Sequence, residues 1–327
     1  MQTPKRMELL SVLDDLPNLP FETAELEVFR YQSENNQLYK QFIALTAGSP
    51  RFPFAPCLPI QFFKTHPVQT GHWEPETIFT SSGTTGQSTS RHMVRDKSVY
   101  LNHAMAGFEQ FYGKPSEWVI LALLPSYLER QGSSLVVMAD TLIQQSKYRE
   151  SGFFLNDFSS LKNTLIRCKS NNYPTILLGV SFALLDFAEN EKMDLNGVII
   201  METGGMKGRR KELTKIELHE TLKQAFNVSS IHSEYGMTEL FSQAYSTGGV
   251  IYRPSKTLRV FATEINDPFC LVAPGKTGVL NVVDLANVDT CSFIQTEDLA
   301  RVYADGSFEI LGRLDAAELR GCNLMVE

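Results

Sequence analysis

The chain has 327 residues, of which 43% are hydrophobic and 20% charged, the balance of a soluble globular protein with a sizeable core. Its net charge of −7 and pI of about 5.5 argue against nucleic acid as the main partner, because phosphate backbones are bound by clustered lysine and arginine. No apolar run approaches the roughly 18 to 20 residues of a membrane span, and the first residues lack a signal-peptide pattern. Five cysteines without close pairs fit reduced thiols. We therefore expect a cytoplasmic protein with no membrane span.

The first third of the chain mixes helical patterns with a proline-rich connection. The prolines between Arg51 and Pro67 forbid a long helix there and favour an extended path. A short β-prone run, Thr77 to Thr80, follows, and helical spacing predicts a helix from Lys97 to Tyr112. The segment between these two elements is therefore a turn.

That turn, Thr80 to Ser90, reads TSSGTTGQSTS, with eight hydroxyl side chains and two glycines in eleven residues. Glycines let the backbone approach a ligand closely, and hydroxyls supply donors without fixed charge, which suits a phosphate group. A flexible surface linker is the alternative. The chain contains neither the P-loop pattern nor G-x-G-x-x-G, so kinase-like and dinucleotide sites lose their main support. The candidate phosphate-binding residues are Ser81, Ser82, Gly83, Thr84, Thr85 and Gly86.

From Trp118 onward, short apolar runs alternate with helical patterns. Such alternation predicts a mostly parallel sheet flanked by helices, in which ligands bind beyond the carboxyl ends of the strands. The predicted strands are Trp118 to Leu124, Pro174 to Val180, Gly197 to Glu202 and Val228 to Ser233, and the predicted helices lie near Ser133 to Gln145, Phe182 to Lys192 and Arg209 to Gln224.

Beyond Gly249 the pattern changes to short strands separated by turns, which predicts a small antiparallel β subdomain. We therefore predict two domains, an α/β core over residues 1–249 and a β subdomain with a C-terminal tail over residues 250–327.

Three ordered stretches resemble the motifs of the acyl-adenylate-forming superfamily. They are SSGTTG in the glycine-rich turn, HSEYGMTEL (His232 to Leu240) and TEDLARVYADGSFEILGRLD (Thr296 to Asp315). The resemblance implies an α/β fold, the large adenylate-forming domain of that superfamily. It also implies ATP and Mg²⁺ as cofactors, and a reaction that joins a carboxylic acid to AMP with loss of pyrophosphate.

The resemblance assigns roles to residues of the second motif. Tyr235 is expected against the adenine, Thr238 at the α-phosphate and Glu239 on Mg²⁺. An aromatic face, a neutral donor and a hard oxygen ligand suit those tasks. The alternative for so short a motif is a strand-to-helix turn with a capping threonine and a solvated glutamate.

Further roles follow by resemblance from the other motifs. Asp298 is expected to bind the ribose hydroxyls with help from Arg313, although Glu297 stands where the family usually has glycine. As an alternative, a lone aspartate before an apolar run is commonly a turn or cap residue. The remaining candidates are the glycine pair Gly204 and Gly205, expected beside the adenine, and two candidate pocket residues, His232 and Lys207.

The chain ends at Glu327, twelve residues after Asp315, whereas most of the superfamily continues into a lid domain, so we expect the lid to be absent. One short branch, the acyl-protein synthetases of bacterial bioluminescence, adenylates a fatty acid and carries it on a cysteine near the C-terminus. By resemblance Cys322 is the candidate catalytic thiol, with a partner transferase or reductase taking the acyl group. The alternative enzyme is a CoA ligase similar to the phenylacetate-CoA ligases. The alternative that is not an enzyme is a non-catalytic scaffold that binds a nucleotide or an acyl group.

Overall fold

The computed structural model describes residues 4–46, 55–81, 89–125, 132–204 and 213–314. Its N-terminal part is helical, as the helical patterns there indicate. The described residues of the proline-rich connection form a short strand and, against the expectation of an extended path, one short helix. The elements are α1 (Pro4–Asp14), α2 (Phe21–Asn35), α3 (Gln37–Thr46), β1 (Leu58–Pro59) and α4 (Phe62–Thr65). Strand β1 pairs in parallel with a strand near the C-terminus, so the chain's first segments lie against its last ones.

The glycine-rich turn lies in an antiparallel hairpin of β2 (Thr77–Thr80) and β3 (Arg91–Val94). Residues 82–88 of the turn are outside the described ranges. The predicted helix from Lys97 to Tyr112 is confirmed as α5. The Asp96 side chain caps it by accepting the Ser98 amide at 3.0 Å, and Gly113, at φ +73°, ends it.

The predicted parallel sheet is confirmed in the middle of the chain. Its strand order is β5-β4-β6-β7-β8, and all neighbouring pairs in it are parallel. Strand β8 begins later than the sequence predicts. The elements of this part are β4 (Val119–Leu123), α6 (Ser134–Gln145), β5 (Gly152–Phe153), α7 (Phe158–Ser170), β6 (Thr175–Val180), α8 (Ser181–Asn190), β7 (Val198–Thr203), α9 (Lys215–Phe226) and β8 (His232–Tyr235).

The last part of the chain is antiparallel, as predicted. It consists of β9 (Ala244–Ser246), β10 (Ile251–Pro254), β11 (Leu258–Thr263), β12 (Thr277–Asp284), β13 (Phe293–Val302) and β14 (Phe308–Arg313). Strand β10 pairs with both β9 and β14, so one sheet runs through both predicted domains. The domain boundary at residues 249/250 stays a prediction.

Two clusters of buried apolar side chains fill the molecule. The first lies among β4, β6, β7 and helices α5 to α9, and the second among α1, α2, β10 and β11 to β14. Tyr235, at the end of β8, belongs to the second cluster, whereas Phe241, six residues later, belongs to the first. The turn after β8 therefore lies where the two clusters meet. None of the helices in the described ranges is long and apolar enough to cross a membrane.

Candidate active site at the end of strand β8

The turn that follows β8 has no regular secondary structure, so side chains from distant segments satisfy its backbone groups. The Thr238 carbonyl accepts a hydrogen bond from His92 Nδ1 at 2.8 Å. The next carbonyl, that of Glu239, accepts one from Asn287 Nδ2, also at 2.8 Å. The two predicted catalytic residues of this turn are thus fixed by side chains from β3 and from the loop after β12.

Asp284, at the end of β12, anchors two residues further along the turn, Phe241 and Ser242. Its Oδ2 accepts the Phe241 amide at 2.7 Å and the Ser242 amide at 3.0 Å, and its Oδ1 accepts the Ser242 hydroxyl at 2.6 Å. Burial raises the pKa of Asp284, and these hydrogen bonds act in the opposite direction. A side chain of the antiparallel part of the sheet thereby fixes the turn that follows β8, the last strand of the parallel part.

Glu239 is only 6% exposed, and its carboxyl lies beside Ser90, the residue before β3. Burial raises the pKa of Glu239, and a hydrogen bond from the Ser90 side chain lowers it. The Ser90 amide in turn donates to Ser81 Oγ at 2.9 Å. Ser90 therefore connects the predicted metal ligand Glu239 with Ser81, the first of the candidate phosphate-binding residues.

The carboxyl group of Glu239 suits Mg²⁺ as a single hard ligand. The described ranges contain no group of three or more His, Cys, Asp or Glu side chains that could hold a metal ion. Mg²⁺ commonly takes one or two protein carboxylates and completes its octahedron with phosphate oxygens and water. The residues present fit an ion that arrives with a nucleotide.

The structure brings Tyr235, Asp298 and Arg313 together, as the motif positions require. The Tyr235 hydroxyl donates to Asp298 Oδ2 at 2.7 Å, and its ring packs edge-on against Tyr252 and Phe308. Arg313 Nε lies 3.7 Å from the other carboxylate oxygen, Oδ1. Burial raises the pKa of Asp298, while Tyr235 and Arg313 lower it. Tyr235 thus fixes the orientation of the carboxylate predicted to bind ribose.

Glu297, which replaces the family's glycine, lies in the extended strand β13, a conformation open to any residue. Its carboxylate accepts hydrogen bonds from Gln61 Nε2 at 2.8 Å and from Arg313 Nη2 at 2.7 Å. The departure from the family pattern therefore lies where the pairing of β13 with β12 shifts register, and it adds a partner for Arg313.

Gly204 ends β7 at φ +67°, a conformation that favours glycine. Its carbonyl accepts the Ser181 hydroxyl at 2.8 Å, next to an ion pair in which the half-buried Lys215 Nζ lies 2.6 Å from Oε1 of buried Glu202. Burial opposes the ionisation of Glu202, but the charge of Lys215 and hydrogen bonds prevail and lower its pKa to about 2. The end of β7 is thus fixed by a charged network.

His232 lies at the start of β8, three residues before Tyr235, and its Nδ1 is 3.1 Å from the Tyr112 hydroxyl of α5. The structure therefore associates it with α5 rather than with the turn. The remaining predicted residues lie outside the described ranges: Ser82, Gly83, Thr84, Thr85, Gly86, Gly205, Lys207 and Cys322.

Sequence reasoning did not assign the residues that hold the turn. His92 stands two residues after the glycine-rich turn, and nothing in the sequence assigns it a role. The others lie in Asp284 to Thr290, where the segment DLANVDT, with four polar residues among seven, follows the mostly apolar strand segment VLNVV. Polar residues directly after an apolar strand were the available signal for a supporting role.

No family model matches the sequence, and no curated protein sequence matches it either. Solved structures do match the fold. An open form of 2-hydroxyisobutyryl-CoA ligase with 2-HIB-AMP and CoA superposes with a TM-score of 0.63 at 15% identity, covering 90% of this chain and 70% of the ligase. The chain has the fold of an adenylate-forming domain.

Two further neighbours agree with that fold. ATP-bound MatB from Rhodopseudomonas palustris has a TM-score of 0.55 at 15% identity, covering 72% of this chain and 47% of MatB. O-succinylbenzoate coenzyme A synthetase (MenE) from Bacillus subtilis, with ATP and magnesium ion, has a TM-score of 0.51 at 17% identity, covering 72% of this chain and 50% of the synthetase. The chain spans about half the length of these two proteins. At such identities the likeness concerns the fold alone.

Proposed function

We propose that the chain activates a carboxylic acid by joining it to AMP, with ATP and Mg²⁺ as cofactors. The observation that carries the proposal is the turn after β8, where half-buried Thr238 and buried Glu239 lie three and four residues after Tyr235, the partner of Asp298. Structural neighbours support it, since MatB is described with ATP, MenE with ATP and magnesium ion, and the hydroxyisobutyryl ligase with an acyl adenylate.

In this reaction a carboxylate oxygen attacks the α-phosphorus of ATP, the bond to the β-phosphate oxygen breaks, and pyrophosphate leaves. Tyr235 offers a ring face to the adenine, and Asp298 accepts hydrogen bonds from the ribose hydroxyls. Thr238 donates to the α-phosphate. Glu239 would hold Mg²⁺, and the ion would supply positive charge that neutralises the phosphates. The protein's contribution is positioning and charge stabilisation.

The acyl group then passes from the adenylate to a thiol, which displaces AMP. We propose that this thiol is Cys322. The proposed substrate is an apolar acid, in the first place a fatty acid, and the proposed final acceptor of the acyl group is a partner enzyme. Three of the four described cysteines, Cys57, Cys168 and Cys291, are poor acceptors, because burial raises the pKa of their thiols. Coenzyme A is the alternative thiol, supported by the CoA bound in the hydroxyisobutyryl ligase structure.

Acid-dependent exchange of labelled pyrophosphate into ATP tests the first step. Purified protein with Mg²⁺ and a panel of aliphatic and aromatic acids should give exchange with at least one acid. If the protein binds nucleotide but no acid in the panel gives pyrophosphate exchange, the non-catalytic scaffold would replace the adenylating enzyme as the proposed function.

A labelled acid separates the two thiols. With ATP and no CoA, the Cys322 proposal predicts a protein label that hydroxylamine removes, and its loss in Cys322→Ser with pyrophosphate exchange retained. Cys270→Ser is the matched control, because Cys270 is a partly exposed cysteine of the described chain. Acyl-CoA formation with an unlabelled protein would instead favour the CoA ligase.

A further inference from the structure

His92 of β3 is fully buried, yet both of its ring nitrogens have polar partners. Nδ1 lies 2.8 Å from the Thr238 carbonyl oxygen, and Nε2 lies 3.1 Å from the Thr290 hydroxyl. The ring also lies between Phe63, in an edge-on contact, and Phe241, whose centroid is 4.8 Å away. The imidazole therefore has one fixed position.

The partners determine which nitrogen carries the proton. A carbonyl oxygen only accepts, so Nδ1 donates to Thr238, and Nε2 of the neutral ring accepts from the Thr290 hydroxyl. Burial lowers the pKa of His92 to about 4, which keeps the ring neutral near pH 7. The contact with Thr238 is thus a directed hydrogen bond from a single tautomer.

The carbonyl that His92 holds belongs to the peptide group between Thr238 and Glu239. Because a peptide group is planar, holding its oxygen also restrains the positions of the two Cα atoms that carry the Thr238 and Glu239 side chains. Ser90, which directly precedes β3, has its side chain beside the Glu239 carboxyl and lowers the pKa of that group. Two residues of one short segment, Ser90 and His92, thus contact both predicted catalytic residues.

A buried histidine of the core is the alternative explanation. A purely apolar side chain would fill the same space between Phe63 and Phe241, but it would leave the Thr238 carbonyl without this donor. An unpaired buried polar group costs about 1–3 kcal/mol, enough to let the peptide group turn. Packing accounts for a ring at this position, and the two hydrogen bonds account for its being histidine.

We propose that His92 is a positioning residue of the adenylation site, whose Nδ1–H holds the Thr238–Glu239 peptide group and thereby sets the phosphate and metal contacts of the turn. The inference rests on the proposed function and names a residue that acts through Thr238 and Glu239 without touching the nucleotide.

Three substitutions separate this role from packing. In His92→Asn the side-chain amide stands near the place of Nδ1 and can still donate to Thr238. In His92→Gln the amide stands near the place of Nε2 and reaches towards Thr290 instead. In His92→Phe the ring is kept and both hydrogen bonds are lost.

The readouts are the Mg²⁺ concentration that half-saturates pyrophosphate exchange, the Mg·ATP affinity from calorimetry and the unfolding midpoint. We expect His92→Asn to stay within about threefold of the wild type in the first two. His92→Gln and His92→Phe should weaken both about tenfold, the loss of roughly one hydrogen bond. Thr290→Val, which removes only the partner of Nε2, should lower the unfolding midpoint and keep the Mg²⁺ requirement within about threefold.

Equal losses in the Asn and Gln variants, or wild-type values in the Phe variant, would overturn the inference while leaving the adenylation proposal intact. A Mg²⁺ requirement that follows the unfolding midpoint across all four variants would overturn it in favour of packing. Wild-type protein that neither exchanges pyrophosphate nor binds Mg·ATP would overturn the proposed function first, and this inference with it.

Discussion

The parallel and antiparallel halves of the sheet contribute to the candidate site in different ways. The parallel half, β4 to β8, contributes a turn at the carboxyl end of a strand, with Tyr235, Thr238 and Glu239 in sequence. The antiparallel half contributes single side chains from within strands or from one loop, such as Asp298, Asp284 and Asn287. A local motif in one half is therefore shaped by non-local contacts from the other.

The two halves also stabilise buried charge differently. In the parallel half the carboxylate of Glu202 has a cation, Lys215, at 2.6 Å. In the antiparallel half Asp284 is bonded by the backbone amides and hydroxyl of residues 241–242. The parallel half thus compensates its buried carboxylate with a cation of its own, whereas the hydrogen bonds of Asp284 link the antiparallel half to the turn after β8.

The largest expected effect is on the ion pair. Lys215→Met leaves the Glu202 carboxylate buried without its cation and should lower the free energy of unfolding by about 3–5 kcal/mol at pH 7, measured by urea denaturation. Lys223→Met, which removes a more exposed ion pair with Glu220 on the same helix, should cost less than about 1 kcal/mol.

The pH dependence checks the cause of that loss. The pKa of Glu202 lies near 2 in the fold, below its ordinary value of 4.5, so the ion pair stabilises above about pH 4.5 and this stabilisation is lost as the pH falls towards 2. The difference between wild type and Lys215→Met should therefore shrink over that range. A pH-independent difference would mean that packing, not charge, is lost.

Glu239→Gln tests the contribution of the turn. Loss of the charged ligand should lower the rate of pyrophosphate exchange about a hundredfold, on the order of 3 kcal/mol, and raise the Mg²⁺ requirement. Glu220→Gln on α9, which changes a more exposed carboxylate, is the matched control. Undiminished exchange in Glu239→Gln would remove the metal role from this residue.

Asp298→Asn tests the contribution of the antiparallel half. Its Tyr235 contact keeps an oxygen acceptor, but the charged acceptor for the ribose hydroxyls is lost, so ATP affinity should fall about tenfold in calorimetry. Affinity for 2′,3′-dideoxy-ATP should change little, because that nucleotide lacks the hydroxyls. An equal loss for both nucleotides would indicate a structural role for Asp298.

The smallest effect is expected for Arg313, whose side chain is 67% exposed. Arg313→Gln should change the free energy of unfolding by less than about 1 kcal/mol, and any loss should shrink at high salt. A loss of several kcal/mol, unaffected by salt, would mean that Arg313 is part of the junction between the halves.

Local patterns predicted the parallel half well. Helix α5 matched its predicted bounds because its helical spacing is flanked by Asp96 and Gly113, and β4 and β6 were found because every residue in them is buried and apolar runs are easy to recognise. Short strands such as β9 and β10 were not found, since three or four residues carry little periodicity. The continuity of the sheet across residues 249/250 depends on those two strands.

The candidate site was predictable only in its local part. The turn with Tyr235, Thr238 and Glu239 could be read from one motif, and Asp298 from another. His92 could not be assigned, because its contact with Thr290 spans 198 residues and leaves no pattern in either segment. The supporting residues become recognisable only when the fold brings their segments together.

The central claim is tested most directly with an acid labelled with ¹⁸O in its carboxyl group, chosen as the acid that supports the fastest pyrophosphate exchange. Attack of that carboxylate on the α-phosphorus, followed by transfer of the acyl group to a thiol or hydroxylamine, leaves one labelled oxygen in AMP. The account predicts labelled AMP and unlabelled pyrophosphate by mass spectrometry. Label in inorganic phosphate with ADP as product, or no acid-dependent cleavage of ATP with any acid, would contradict it.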